Sequence, residues 1–472
     1  MVRACEKSGM GQGSIARLLF QFSFPSALGL IANAMYNIID RLFIGQCAGS
    51  DALGAVGLTF PLYVFIAALG SLVGVGSASQ MSRFLGERRL SKAERVLGTS
   101  TTVMAVFSGV FTIGALLGLD WLVAILGASA HLAHDAKLYT KIILWGMPFT
   151  LMGFSLNYLI RAEGHPHYAM WTLVMGAGVN IFLDWLLVAH FRLGVAGAAI
   201  GTSVAQVVAF IWTASFYLRG KGHFRAGSVS LSPDWEITRE MLLIGASPFC
   251  MQIFYTICMT FFNNVIAGLG GDLAIAAIGI FFSLDNLIYI PVFGIGEGLA
   301  PIVGYNYGAH QSRRVRKVIK YALIASTGYF IFSFVCAEAF TPYMVRLFTS
   351  DDEALVDLTV RAMRIGYIGM PFAAAGIVSS SAFLAIGRSG ISLFLNFCRQ
   401  GLIFLPALIF LPRLMGLDGA WSSFVAVDMG GGIIGIIMLL CYWNVFSGNS
   451  KDTAGPVSAP QQVASINALG GD

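Results

Sequence analysis

Twelve stretches of about twenty predominantly apolar residues follow one another along the 472-residue chain, and nothing else in it restricts the fold so much. They fall near 15–45, 52–82, 96–118, 138–161, 166–190, 194–218, 240–268, 273–305, 318–343, 358–386, 390–412 and 417–445. Inside hydrocarbon a chain must satisfy its own N–H and C=O groups, which leaves only helices and closed barrels. Barrel strands are runs of about ten alternating residues, whereas these stretches are long and continuous. Composition enters at one point only: charged residues make up 11%, against about 25% in soluble domains. Three soluble domains could not be covered with so little charge. The expected fold is all-α, a polytopic membrane protein with twelve transmembrane helices.

The formal net charge of +5 is not a nucleic-acid signal. Of the 29 Lys and Arg, 20 fall in the two termini and the even-numbered loops, while the alternate loops carry only Lys137, Arg192, Arg346 and Arg413. The positive-inside rule then expects both termini in the cytoplasm and the protein in the cell membrane. The seven cysteines are scattered without a CxxC pair, so no disulfide framework or zinc site is expected. The N-terminus has no short apolar core with a small-residue cleavage site, so no removed signal peptide is expected. From Ser447 the tail GNSKDTAGPVSAPQQVASINALGGD is rich in Gly, Ser, Pro and Gln, and disorder is expected.

The chain also repeats itself. SFPSALG at 23–29 returns as SPF at 247–249, and DALGAVGL at 51–58 as DLAIAAIGI at 272–280. Gly74-Val-Gly76 matches Gly294-Ile-Gly296, the basic segment 84–97 matches 306–319, and LGVAGA at 193–198 matches MGLDGA at 415–420. All these offsets lie between 220 and 224 residues, so a six-helix unit is duplicated with its topology preserved. Two pseudo-symmetric bundles are expected, with a site between them. The expected division is a first lobe over 1–219, a linker over 220–239, a second lobe over 240–446 and a tail over 447–472.

Ionisable residues within spans need a reason, because each costs about 2.5–3.5 kcal/mol at a helix centre on insertion scales. Asp40, Arg41, Asp184, Asp285, Glu297, Glu338, Arg399 and Asp428 are such residues. In the first span Asn33, Tyr36, Asn37 and Asp40 follow i, i+3, i+4, i+7 spacing on one face. Asn180 and Asp184 in the fifth span, and Thr202 and Gln206 in the sixth, each stand four apart. Counted from the outer helix ends, Asp40, Asp184 and Thr202 lie about 8–12 Å deep. Such oxygen ligands suit a hard cation, and shielded carboxylates can hold protons. A structural hydrogen-bond cluster is the alternative. By the repeat, Asp40 corresponds to Asn263, Asn180 to Leu402 and Asp184 to Pro406, so coupling chemistry is expected in the first lobe only. Arg399 is expected to neutralise either Asp428 or Glu297, leaving the roles of Asp285, Glu297 and Arg399 open, and Glu338 is expected at an interface.

Other motifs carry little. Gly294-Ile-Gly296-Glu297-Gly298 lies within a span and reads as close helix packing. His131, His134 and Asp135 have helical spacing for a metal but no further ligand. No nucleophile–base set, HExxH or Walker A sequence is present, so an enzyme is not expected, and no cofactor is needed.

Pro25 and Asp40 in SFPSALG…YNIIDRLFIG, Asn180 and Asp184 in GVNIFLDW, and PIVGYNYGA at 301–309, set in two six-helix halves, resemble the multidrug and toxic compound extrusion (MATE) transporters. The resemblance covers about 15–446 and points to the DinF-type and MepA-like branch. Another branch carries acids inside the seventh and tenth spans, where the seventh span of this chain offers Gln252, Asn263 and Asn264. The family implies a V-shaped, two-lobed monomeric antiporter that exports lipophilic organic cations in exchange for H+ or Na+. It implies that Asp40 is the protonation residue, that Asp40, Asn180, Asp184 and Thr202 form the cation site, that Tyr139 and Asn157 join Asn33, Tyr36, Asn37 and Gln206 in the substrate cavity, and that Pro25 is a hinge. On this reading coupling ion and drug compete for one negative cavity, with Met35, Tyr36 and Trp185 available to a flat cation. An anion a few ångströms from a carboxylate would lose about 4 kcal/mol at an effective dielectric near 20. A lipid-linked oligosaccharide or lipid flippase of the same superfamily is the alternative.

Overall fold

The computed structural model describes residues 10–126, 131–225, 227, 229–348 and 352–447. The tail expected to be disordered lies, from 448 onward, outside the described residues. Among the described residues there is no strand, and eleven helices are long and apolar enough to cross a bilayer. These are α1 (Ile15–Ala48), α2 (Asp51–Gly86), α3 (Leu90–Leu117), α4 (Ala133–Ala162), α5 (Pro166–His190), α6 (Gly194–Leu218), α7 (Trp235–Gly308), α8 (Ser312–Arg346), α9 (Glu353–Ala385), α10 (Ser389–Met415) and α11 (Leu417–Cys441). At 1.5 Å per residue the 74 residues of α7 would run about 110 Å if straight. The helix instead turns at Gly271, where φ is 58° and ψ −151°, a conformation that excludes a Cβ. Its arms, 235–270 and 272–308, are two spans, and the total is the expected twelve.

α7 begins five residues before the expected boundary at 240. Asp234 caps it, accepting the N–H groups of Glu236 and Ile237 at 3.0 and 3.3 Å, which supplies partners for otherwise orphaned donors. The preceding linker is pinned to the first lobe, where fully buried Glu163 accepts the His223 N–H at 2.8 Å. Burial among these groups pushes the neighbouring His165 imidazole below its usual value.

α1–α6 form one lobe and α7–α11 the other, with one exception inside α1. Its first turns bury Ile15, Leu18, Leu19 and Phe22 against Leu299, Ile302, Val303 and Ile319 of the opposite lobe. Farther along, Gly29 lies against Leu173 of α5, and Tyr36 and Asp40 are buried in the first lobe. Pro25 sits where the helix changes partners, and the helix continues through it.

The V closes at the end that carries the basic loops. There Arg83 Nη2 pairs with Glu240 at 2.7 Å, Ser79 Oγ donates to Leu384 O at 2.8 Å, and Gln80 Nε2 donates to Ile237 O at 3.2 Å. Lipid offers helices no hydrophobic drive to associate, so close backbone packing must supply it. α2 crosses the first arm of α7 this way: a Cβ at Gly76 would come 2.0 Å from Met241 O, and one at Gly245 1.6 Å from Leu72 O. Gly245→Val is therefore expected to prevent this closure. The check is disulfide trapping of a Ser79→Cys/Ala385→Cys pair, which should form readily with Gly245 and be lost with valine.

Candidate coupling site and central cavity

Asp40 and Asp184 come together in the first lobe, as the spacing suggested. Asp40 is 8% exposed and Asp184 fully buried, and the two carboxylates are close enough to act on each other electrostatically. Asn180 Nδ2 donates to Thr202 Oγ1 at 3.3 Å, which turns its carbonyl oxygen free. Asp40 Oδ1, both oxygens of Asp184 and Asn180 Oδ1 are buried without a hydrogen-bond partner. Gly201 makes room here, since a Cβ would stand 2.7 Å from Asp184 Oδ1. A structural hydrogen-bond cluster would have supplied donors to these acceptors, because leaving each unmade costs about 1–3 kcal/mol. Among the described residues none is supplied. Single π-helical turns, Ile44–Ala48 and Trp185–His190, follow the two aspartates and are a frequent mark of functional sites.

The polar stripe of α1 straddles an edge instead of facing one cavity. Asn33, Asn37 and Arg41 line the large cavity between the lobes, whereas Tyr36 and Asp40 turn into the first lobe. Tyr36 bonds Tyr63 hydroxyl to hydroxyl at 3.1 Å, and Asn37 Nδ2 donates to Asn33 O at 2.8 Å. Asn33, Tyr36, Asn180, Thr202 and Gln206 line a separate cleft of about 30 Å³, room for one or two waters. Of the six expected cavity residues only Asn33 and Asn37 line the large cavity; Tyr36 and Gln206 reach only the small cleft, and Tyr139 and Asn157 line neither. Tyr139 is buried behind the aspartates with Ile44 and Val188. Asn157 is buried, donating to Ala169 O at 2.8 Å and accepting from Arg161 Nη2 at 3.0 Å, and so orients that arginine. Met35 lines the cavity, but exposed Trp185 does not.

The central cavity measures about 1290 Å³ and draws its walls from both lobes. The expectation that Asp40 and Asp184 form its walls is corrected, because both are withdrawn behind it. The charged side chains that line it are Arg41, Arg161, Arg399 and Glu297. Arg161 pairs with Glu297 across the lobes and stacks on Tyr158 at 4.9 Å. Arg399 takes the first of its two expected partners, with Nη2 3.0 Å from Asp428 Oδ1. Arg41 lies 5.4 Å over the Phe60 ring. Glu338 pairs with Arg364 at 3.7 Å, and His131 Nε2 lies 3.5 Å from Asp51 Oδ2. Sequence reasoning missed Arg161 because it sits in the last turn of α4 and reads as one of the loop cations.

The MatE family model matches the chain twice, over 25–186 and 248–410, two copies displaced by 223 and 224 residues as the internal repeat requires. The multidrug export protein MepA of Staphylococcus aureus strain MRSA252 is 28% identical over 416 residues, covering 88% of this chain and 91% of that one. MepA of strain NCTC 8325 / PS 47 is 30% identical over 419 residues with the same coverage. A crystal structure of MATE in complex with MaL6 superposes with a TM-score of 0.89 at 24% identity, covering 93% of this chain and 99% of that one. A MOP superfamily transporter from Pyrococcus furiosus, described as having a binding pocket of reverse polarity that suggests a different function, superposes at 0.88 with 25% identity, covering 93% and 98%. With two copies of the family unit, twelve spans in two lobes and a cavity between them, the chain belongs to the MatE family of multidrug efflux transporters, as a multi-pass membrane protein.

Proposed function

We propose that the protein is a secondary active antiporter that exports lipophilic organic cations in exchange for H+ or Na+, as a monomer in the cell membrane with both termini cytoplasmic. The observation that carries the coupling is the set of buried, unpartnered oxygens on Asp40, Asp184 and Asn180. A cation or proton entering there removes negative charge from the neighbourhood of the cavity. Three guanidinium groups (Arg41, Arg161 and Arg399) stand in or beside that cavity against five carboxylates (Asp40, Asp184, Asp285, Glu297 and Asp428). With all ionised, the excess is two negative charges, which favours a cationic cargo, and ion entry weakens that hold. α1 links the two events, since one helix carries Asp40 and packs its first turns into the other lobe. Pro25 leaves one backbone carbonyl of the helix without its donor, which eases bending there. Closure at the basic-loop end corresponds in this reading to a cavity open to the outside.

Because the acids lie behind the wall, the expected discrimination shrinks from the sequence-based figure. One net charge at about 8 Å and an effective dielectric near 20 is worth about 2 kcal/mol, or roughly 30-fold. In proteoliposomes with an imposed pH or sodium gradient, a cationic dye should be transported, and matched aromatic cations should compete roughly 30-fold better than anions of the same size. Three of the four charged side chains on the cavity surface are arginines, which favours a lipid or oligosaccharide flippase as the second reading. Anions competing as well as cations would select it.

A further inference from the structure

The outer surface of the second lobe carries four cations that the fold does not use. We propose that the basic-loop end of α8 is a docking surface for an anionic phospholipid. Arg313, Arg316, Lys317 and Lys320 hold its headgroup, and its acyl chains lie along Ile324, Gly328 and Ile331. Such a lipid sits outside the cavity and is not cargo, so the site stands whichever substrate is exported.

Arg313, Arg316, Lys317 and Lys320 follow i, i+3, i+4, i+7 spacing at the start of α8, so they share one face, and all four are exposed or half-buried. The opposite face buries Val315, Val318 and Ile319 with Leu299, Ile302 and Val303. None of the four cations forms an ion pair among the described residues, and Lys317 lies 5.9 Å from the centre of the Tyr321 ring. Arg314, between them, is employed by the fold. It turns inward and donates to Asn306 Oδ1 at 2.9 Å, Met10 O at 3.1 Å and Gly13 O at 2.9 Å. The positive-inside rule accounts for a number of cations in such a segment, not for their alignment on one face. The repeat supplies a comparison: 222 residues earlier the same positions are Ser91, Glu94, Arg95 and Gly98, and Arg95 is paired with Asp234 at 3.6 Å. The equivalent helix of the first lobe meets the same interface with no net charge on that face.

The surface into which the basic stripe runs identifies its occupant. At about 3.6 residues per turn, Ile324, Gly328, Ile331 and Val335 continue the same face toward the bilayer interior. All four are exposed. A Cβ at Gly328 would meet nothing within 4 Å, so the face is indented between Ile324 and Ile331. The hydrocarbon of one leaflet is about 15 Å deep, or about ten helical residues, which carries an acyl chain from Lys320 to the level of Ile331. A soluble phosphate compound would have no use for that apolar continuation. A zwitterionic lipid brings no net charge to four cations. An anionic phospholipid matches both parts of the surface, and each Lys or Arg near such a headgroup adds about fivefold to binding.

The test is native mass spectrometry of the detergent-solubilised full chain, titrated with dioleoyl phosphatidylglycerol, dioleoyl phosphatidylcholine or glycerol 3-phosphate. Phosphatidylglycerol should bind at least about tenfold more tightly than phosphatidylcholine. Arg316→Gln/Lys317→Gln should weaken phosphatidylglycerol about 25-fold and leave phosphatidylcholine within about twofold. The charge-preserving exchange Arg316→Lys/Lys317→Arg should keep phosphatidylglycerol within about threefold of the unmodified protein. Removing two first-lobe cations from the same end, in Arg88→Gln/Lys92→Gln, should also change it by less than about threefold. All the substituted side chains are at least partly exposed, so the variants should fold as the parent does. Equal weakening by the first-lobe pair would reveal a diffuse basic field, and equal affinity for the two lipids an ordinary apolar surface. Displacement of phosphatidylglycerol by glycerol 3-phosphate at equal concentration would reveal a phosphate site with no need of a lipid. Any of these three results overturns the proposal.

Discussion

Asp40→Asn is expected to abolish ion-driven efflux, lowering the initial rate at least about a hundredfold, while expression and membrane insertion stay intact. Asn cannot be protonated and carries no charge for a cation to neutralise. It does bring an amide donor to the unpartnered oxygens of Asp184, so thermal stability should hold or rise as activity disappears. That divergence separates a coupling residue from a structural one. Asp184→Asn should behave in the same way. Their repeat counterparts give the control, since Leu402 is 56% exposed and neither it nor Pro406 belongs to a buried oxygen cluster. Substitutions there should leave ion dependence unchanged. The measurement is dye uptake into inverted vesicles under a pH or sodium gradient. Comparable loss of ion dependence at 184 and 402 would remove the asymmetry between the lobes.

The second large effect is expected from the ion pair that ties the lobes beneath the cavity. Arg161 and Glu297 belong to different lobes, with side chains only 9% and 24% exposed. Removing one partner of a buried pair costs about 3–5 kcal/mol, because it strands the other charge. At the lower end, set by the partial exposure of Glu297, Arg161→Glu should reduce the population closed at the basic-loop end more than about a hundredfold. The double variant Arg161→Glu/Glu297→Arg restores the pair with reversed sign and should recover part of the closure. Recovery stays partial because Arg161 also bonds Asn157 and stacks on Tyr158. Labelling of Ser79→Cys by a membrane-impermeant maleimide reads the closed fraction. No rescue in the double variant would show that the pair does not hold the lobes together.

Residue pattern alone went far on the fold. Apolar stretches of bilayer length identify the spans because hydrocarbon leaves the backbone no other solution, and the duplicated segments reveal two lobes because the offset is constant along the chain. The acids of the first lobe were also legible. Asn180 and Asp184 share a helix face by periodicity, and a carboxylate within a span demands an explanation wherever it occurs.

What only the tertiary structure decided was which neighbour each polar face meets. Helical periodicity places Asn33, Tyr36, Asn37 and Asp40 together, but the packing of α1 splits them between the large cavity and the interior of the first lobe. The same packing withdraws Asp40 and Asp184 from the cavity wall and leaves arginines there. Arg161 meets Glu297 across 136 residues of sequence, and Arg399 meets Asp428 across 29. Local spacing carries no information about such partners, because a helix fixes the direction of a side chain relative to its own axis and not the helix it will face.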